Sequence, residues 1–132
     1  MFNVLPQELT MRRSPELVHL SREHHAALVQ AKRIKGSNSS TDVLEVWPSV
    51  AFLTELEAHF DAEETMFAQY LVHLPRLAGQ FSDDHKTLRA LMRQLHAGKL
   101  AALLAFGERL EAHVRFEERE LFPALEGLIH PA

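Results

Sequence analysis

The chain has 132 residues, enough for one domain with a substantial core and too few for two comfortable ones. A composition of 46% apolar and 24% charged residues, with a formal net charge of -4, excludes a disordered segment and offers no concentrated basic surface for nucleic acid. Cysteine is absent, which removes disulfides, thiolate catalysis and Cys-ligated zinc or iron–sulfur clusters, so a bound metal must be held by N and O ligands.

No apolar run approaches the length of a membrane span, and the opening residues MFNVLPQELTMRRSPE lack the apolar stretch of a secretory leader. A cytoplasmic protein without membrane or nucleic-acid partners is expected. Residues 1–14 mix Pro6, polar side chains and Arg12-Arg13, and read as an N-terminal arm; residues 15–132 read as the folded domain. Ser14-Pro15-Glu16 supplies a cap, a proline at the first helical position and an acid in the first turn. The helix that follows has an inward ladder of Leu17, Leu20, His24, Leu28, Ala31 and Ile34, which places His24 rather than His25 inside the apolar stripe. Gly36-Ser37-Asn38-Ser39-Ser40 ends it.

A short turn is expected over Thr41 to Val46, and a second long helix from close to Trp47, since Pro48 is tolerated only near a helix start. Its inward ladder is Phe52, Leu56, His59, Glu63, Met66/Phe67 and Tyr70. Leu74-Pro75 breaks it. The third helix starts either at Pro75 or at a cap on Ser82, with Leu77, Phe81, His85, Leu88, Met92 and Leu95 inward and Gly98 at its end. The fourth runs from about Lys99, with Leu103, Phe106, Leu110, His113, Glu117 and Leu121 inward, to a break or kink at Pro123. No segment shows the period-two alternation of a half-buried strand. The expected fold is all-α, an antiparallel up-down-up-down four-helix bundle.

One phrase occurs twice, LEAHFDAEETMF from Leu56 and LEAHVRFEERELF from Leu110. Each copy holds a His and, four residues on, a Glu, so His59 with Glu63 and His113 with Glu117 each lie one turn apart on a single helix face. At ~1.5 Å per residue, the distances from each inward His to its helix ends match between neighbours to within about one turn. His24, His59, His85 and His113 therefore fall in one layer. A lone His on an apolar face is ordinarily a core residue bonded to a neighbour. Two buried carboxylates with no cation to balance them are another matter, since their desolvation costs several kcal/mol. Four imidazoles and two carboxylates exceed one tetrahedral zinc and suit two octahedral ions bridged by Glu63 and Glu117, with two His on each. Iron is the first assignment, with manganese or zinc as rivals.

The runs REHHAAL, HFDAEETMF, DDH and HVRFEERELFP, in that order, resemble the hemerythrin-like (HHE) domain from about Leu17 to Leu125. The resemblance implies a non-haem di-iron centre with bridging glutamates and a bridging oxo or hydroxo group, open to O2, nitric oxide or peroxide. His24 and His59 would serve one iron, His85 and His113 the other, with Glu63 and Glu117 bridging. Two departures stand out. The oxygen carriers of the family have a second His one turn after the first in the third helix, where this chain has Arg89. Either a water or another His, such as His25 or His96, completes the site, or one iron is more open. The carriers also end on an acid at the fifth position after the last His, where this chain has Glu118, while Glu117 copies the spacing of the other pair. Tyr70 is read as core, with a hydrogen bond toward the site as the alternative. The leading functional expectation is a small-molecule binder or sensor, or an iron buffer. An oxidoreductase acting on nitric oxide or peroxide and a metal-free helical interaction module are the alternatives.

Overall fold

A computed structural model of the chain describes residues 13–38 and 43–131. The elements in order are α1 (Pro15–Lys35), α2 (Val43–Val46), α3 (Val50–Leu71), α4 (Pro75–His96), α5 (Ala102–Phe116), a π-helical turn (Glu117–Leu121) and α6 (Phe122–Ile129). There is no strand among the described residues. The four long helices form the expected all-helical bundle. Most of the expected arm over residues 1–14 lies outside the described residues. Its last two residues reach the opposite end of the chain, where the Ser14 N–H donates to Glu126 Oε2 at 2.6 Å and Arg13 donates to Glu118.

Two helix starts differ from expectation, each for a local reason, and the third helix takes the first of its two expected starts. The second long helix begins at Val50 rather than near Trp47, because Ser49, not Pro48, is the cap: its Oγ accepts from the Phe52 N–H at 3.0 Å. The third starts at Pro75 and runs unbroken through Gly79. It ends with Ala97 as the cap and Gly98 just beyond it at φ 76°, a conformation that glycine adopts at little cost. The fourth begins at Ala102, after a turn closed by the Ala102 N–H on Lys99 O.

At Pro123 the helix does not stop. A proline ring cannot donate and clashes with the carbonyl four residues back. The chain accommodates it by widening one turn, so that the Phe122 N–H donates to Glu117 O, five residues back. The consequence for the site is large, because one residue is added to the turn that carries Glu117 and Glu118.

The core is in two parts. Leu28, Leu53, Phe60, Leu88, Met92, Phe106 and Leu110 belong to one apolar cluster, and Leu17, Leu20, Phe67, Phe81, Phe122 and Leu125 to the other. Tyr70 packs half-buried against the second cluster, in keeping with a core role. α1 packs most extensively on α5. Gly107 permits this, since a Cβ there would stand 2.8 Å from Ile34 Cγ2. Against α3, α1 packs only sparsely.

Candidate metal centre

All six of the singled-out polar residues are buried, with His24 2%, His59 7%, His85 2% and His113 1% exposed and Glu63 and Glu117 fully enclosed. They lie together in one layer. The His24 and His59 ring centroids are 5.0 Å apart and those of His85 and His113 4.9 Å. Every one of the four rings turns its Nε2 inward. His24 Nε2 meets Glu117 Oε1 at 2.8 Å, and His85 Nε2 meets Glu63 Oε1 at 3.1 Å. His59 Nε2 stands 3.1 Å from Glu63 Oε2, and His113 Nε2 stands 3.3 Å from Glu117 Oε2.

These atoms make two overlapping groups that could each hold a cation: His24, His59, Glu63 and Glu117, and His85, His113, Glu63 and Glu117. Both carboxylates are common to both groups. The inner faces of the site are also incompletely bonded. His59 Nε2, Glu63 Oε2, His113 Nε2 and Glu117 Oε2 are buried without a hydrogen-bond partner. Four such orphans in one layer are costly in a closed core, and each is a lone-pair donor of the kind that a hard or borderline metal ion binds. The residues fit a metal.

The outer nitrogens are all engaged. His24 Nδ1 pairs with Glu118 at 2.7 Å, His59 Nδ1 with Glu23 at 2.6 Å, His85 Nδ1 with Glu64 at 2.6 Å and His113 Nδ1 with Asp84 at 2.9 Å. An ionised carboxylate only accepts, so each Nδ1 carries the proton and each Nε2 is left to face the centre. The pairs form a closed circuit: α1 supplies the acid for α3, α3 for α4, α4 for α5, and the π turn for α1. These four acids were not recognised as a set from sequence, and only Glu118 drew notice there, as a rival to Glu117. A signal was present, since each stands next in the chain to an inward residue: Glu23 before His24, Glu64 after Glu63, Asp84 before His85 and Glu118 after Glu117.

The π turn explains how Glu117 and Glu118 serve one histidine. In an α-helix consecutive side chains diverge by about 100°. With the turn widened, Glu117 takes Nε2 of His24 from the centre and Glu118 takes Nδ1 from outside. The two glutamates are therefore not rivals.

Arg89 faces outward, not into the centre. It donates to Glu57, Glu64 and Asp61 at 2.8, 2.5 and 2.9 Å, with its guanidinium 5.5 Å from the centre of the Phe60 ring. Among the described residues neither His25 nor His96 joins a ligand group. His96 is exposed at the end of α4, about three turns from His85 by helical rise.

Charge in the cluster is strongly organised. Burial disfavours the charged form of Glu63, but the His59 charge, the nearby His24 imidazole and the His85 hydrogen bond outweigh it and hold the carboxyl well below the usual range. Burial likewise works against cationic His24 and His113. Hydrogen bonds that His24 donates to Glu117 and Glu118, with Glu63 close by, nevertheless raise it, and Glu117 and Asp84 raise His113 to about 10. The raised His24, His59 and His113 thus favour the charged form beside Glu63. A bound cation would displace the protons that charge them.

Residues 16–125 match the protein family described as the hemerythrin HHE cation binding domain. No individual curated protein and no solved structure matches the chain.

Proposed function

The chain belongs to the hemerythrin HHE cation-binding family, and we propose that it is a non-haem di-iron protein whose centre binds or senses O2 or nitric oxide, or buffers iron. The observation that carries this reading is the set of four inward Nε2 atoms around two shared, fully buried carboxylates, with two of those nitrogens and one oxygen of each carboxylate lacking a hydrogen-bond partner. His24 and His59 would hold one ion, His85 and His113 the other, with Glu63 and Glu117 bridging. When bound, such a pair supplies reversible one-electron and small-molecule ligand chemistry at neutral pH.

The protein's own part is orientation and insulation. The four outer acids fix ring tautomer and direction, and Phe60, Phe81 and Phe122 stack on the histidines, with ring centroids 4.1 Å from His85 for the first two and 5.3 Å from His24 for the third. A metal-free interaction module is disfavoured by the orphaned inner atoms. The second reading, an oxidoreductase acting on nitric oxide or peroxide, draws support from a cavity of ≈ 350 Å³ that reaches His24, His59 and His113 between α1 and α3.

Metal analysis of protein expressed with iron, paired with optical spectra in air and after reduction, tests the proposal. About two irons per chain, with a near-ultraviolet band that bleaches on reduction, are expected. Absence of metal from the folded protein would overturn it. Consumption of nitric oxide or peroxide under a supply of electrons would decide for the enzyme over the binder.

A further inference from the structure

Among the described residues, three surface cavities that approach the ring of histidines differ in the charge of their mouths. The groove between α3 and α4 that reaches His85 is edged by Lys86, Arg89 and Arg93. The hollow between α4 and α5 is lined by Arg76 and Arg109 together with Asp83 and Asp84, so its charges balance. Of these three, among the described residues, the cleft between α1 and α3 has a mouth without Lys or Arg; Glu23, Glu55 and His19 line it, all exposed. Its walls carry small side chains, including Ala26 and Ala62, and its floor is His24, His59 and His113.

The spacing of these donors forms a path. His19 and Glu23 lie one turn apart on α1, both at the exposed rim, and Glu55 and His59 lie one turn apart on α3, from rim to buried floor. His59 is buried, with an Nε2 that has no hydrogen-bond partner. Its support also differs from that of the other three rings. Arg13 donates to Glu118, Arg89 to Glu64 and Arg109 to Asp84, so those acids are fixed from behind. Glu23 instead holds His59 at 2.6 Å from a side chain that is 54% exposed.

We propose that metal ions enter and leave the centre through the α1–α3 cleft, drawn in by Glu23 and Glu55 and received first by His59. This rests on the metal-binding reading above. A cation approaching a negative, low-dielectric cleft is steered, whereas at the other two openings the acids are already engaged by arginine and offer it less attraction. The bundle's thin α1–α3 seam is then the port of the centre, and the ring-stacked α4–α5 side its fixed wall.

The test follows Co(II) uptake by the chelator-stripped full chain in stopped flow, and release of bound Zn(II) into excess chromophoric chelator. Glu55→Lys reverses the rim charge at a residue outside the ligand set, and uptake at low salt should slow about tenfold, with the difference shrinking as salt rises. Ala62→Leu narrows the cleft, and should slow uptake and release by a similar factor with the dissociation constant unchanged, a signature that general destabilisation does not produce. Lys86→Glu, at the competing groove, should leave both rates alone. Rates within twofold of wild type for Glu55→Lys and Ala62→Leu at equal occupancy, or faster uptake in Lys86→Glu, would overturn the port while leaving the metal centre standing. A wild-type chain that takes up no Co(II) would overturn both.

Discussion

The α1–α3 half of the polar layer and the α4–α5 half are built from the same parts and held to different degrees. Each has two inward imidazoles and an acid behind each ring. On the α4–α5 side, Glu64 and Asp84 are backed by Arg89 and Arg109, and the Phe60 and Phe81 rings close on His85. On the α1–α3 side, His24 is backed by Glu118 and Arg13, while Glu23 holds His59 from the solvent edge of a cleft. A His–carboxylate pair is therefore only as rigid as whatever holds the carboxylate.

The largest expected difference is in packing. Phe60→Ala removes a fully buried ring between His85, His113 and the Arg89 guanidinium and should cost roughly 3–5 kcal/mol in urea unfolding of the metal-free chain. Phe52→Ala, half-buried on the cleft wall, should cost less than half of that. Equal losses would erase the distinction between the halves. Next in size, Glu64→Ala frees His85 Nδ1 and should weaken metal binding about 10–100-fold in a competition titration, as losses of such outer partners do. Glu23→Ala should weaken it at the low end of that range or less.

Two smaller effects concern the side of α1 that is closed. Gly107→Ala would bring a methyl within 2.8 Å of the branched Ile34 side chain, and the overpacking should outweigh the gain in helix propensity by about 1–2 kcal/mol, read by thermal melting. Glu111 ties α5 to α1 through Lys35 at 2.7 Å and Lys32 at 3.3 Å. The hydrogen bond from Lys35 depresses its carboxyl to about 2 against burial, with Arg115 and Lys32 adding to the effect. A depressed acid stabilises above its unfolded value and loses that contribution as pH falls. The lead of wild type over Glu111→Gln, about 1 kcal/mol for so exposed a set of lysines, should thus be complete above pH 4.5 and vanish toward pH 2. A lead constant across that window would show that Glu111 acts through packing alone.

Much of this was legible in the chain. Ser14-Pro15 and Gly36 mark the ends of α1, and the inward ladders of α1, α4 and α5 are all buried, because apolar spacing of three and four is a local property of a helix. The ladder of α3 was read less well. Leu53 and Phe60 are buried where Phe52 and Met66 are only half so, because apolar residues on several faces of this helix blur the period. Pro48 also drew the predicted start of α3 to Trp47, three residues ahead of its place, since a proline announces a boundary without saying which neighbour caps it.

By itself the sequence determined an all-helical bundle, the six polar residues that interrupt its apolar seams, and their common level, for helical period and rise are set within each segment. The circuit of outer acids, the sharing of His24 between Glu117 and Glu118 across a widened turn, and the outward engagement of Arg89 were decided only when the helices met. Each depends on the distance and rotation between elements far apart in the chain. Those are settled by how side chains such as Gly107 and Ile34 let two helices close, and by where Pro123 forces the backbone to add a residue to its turn.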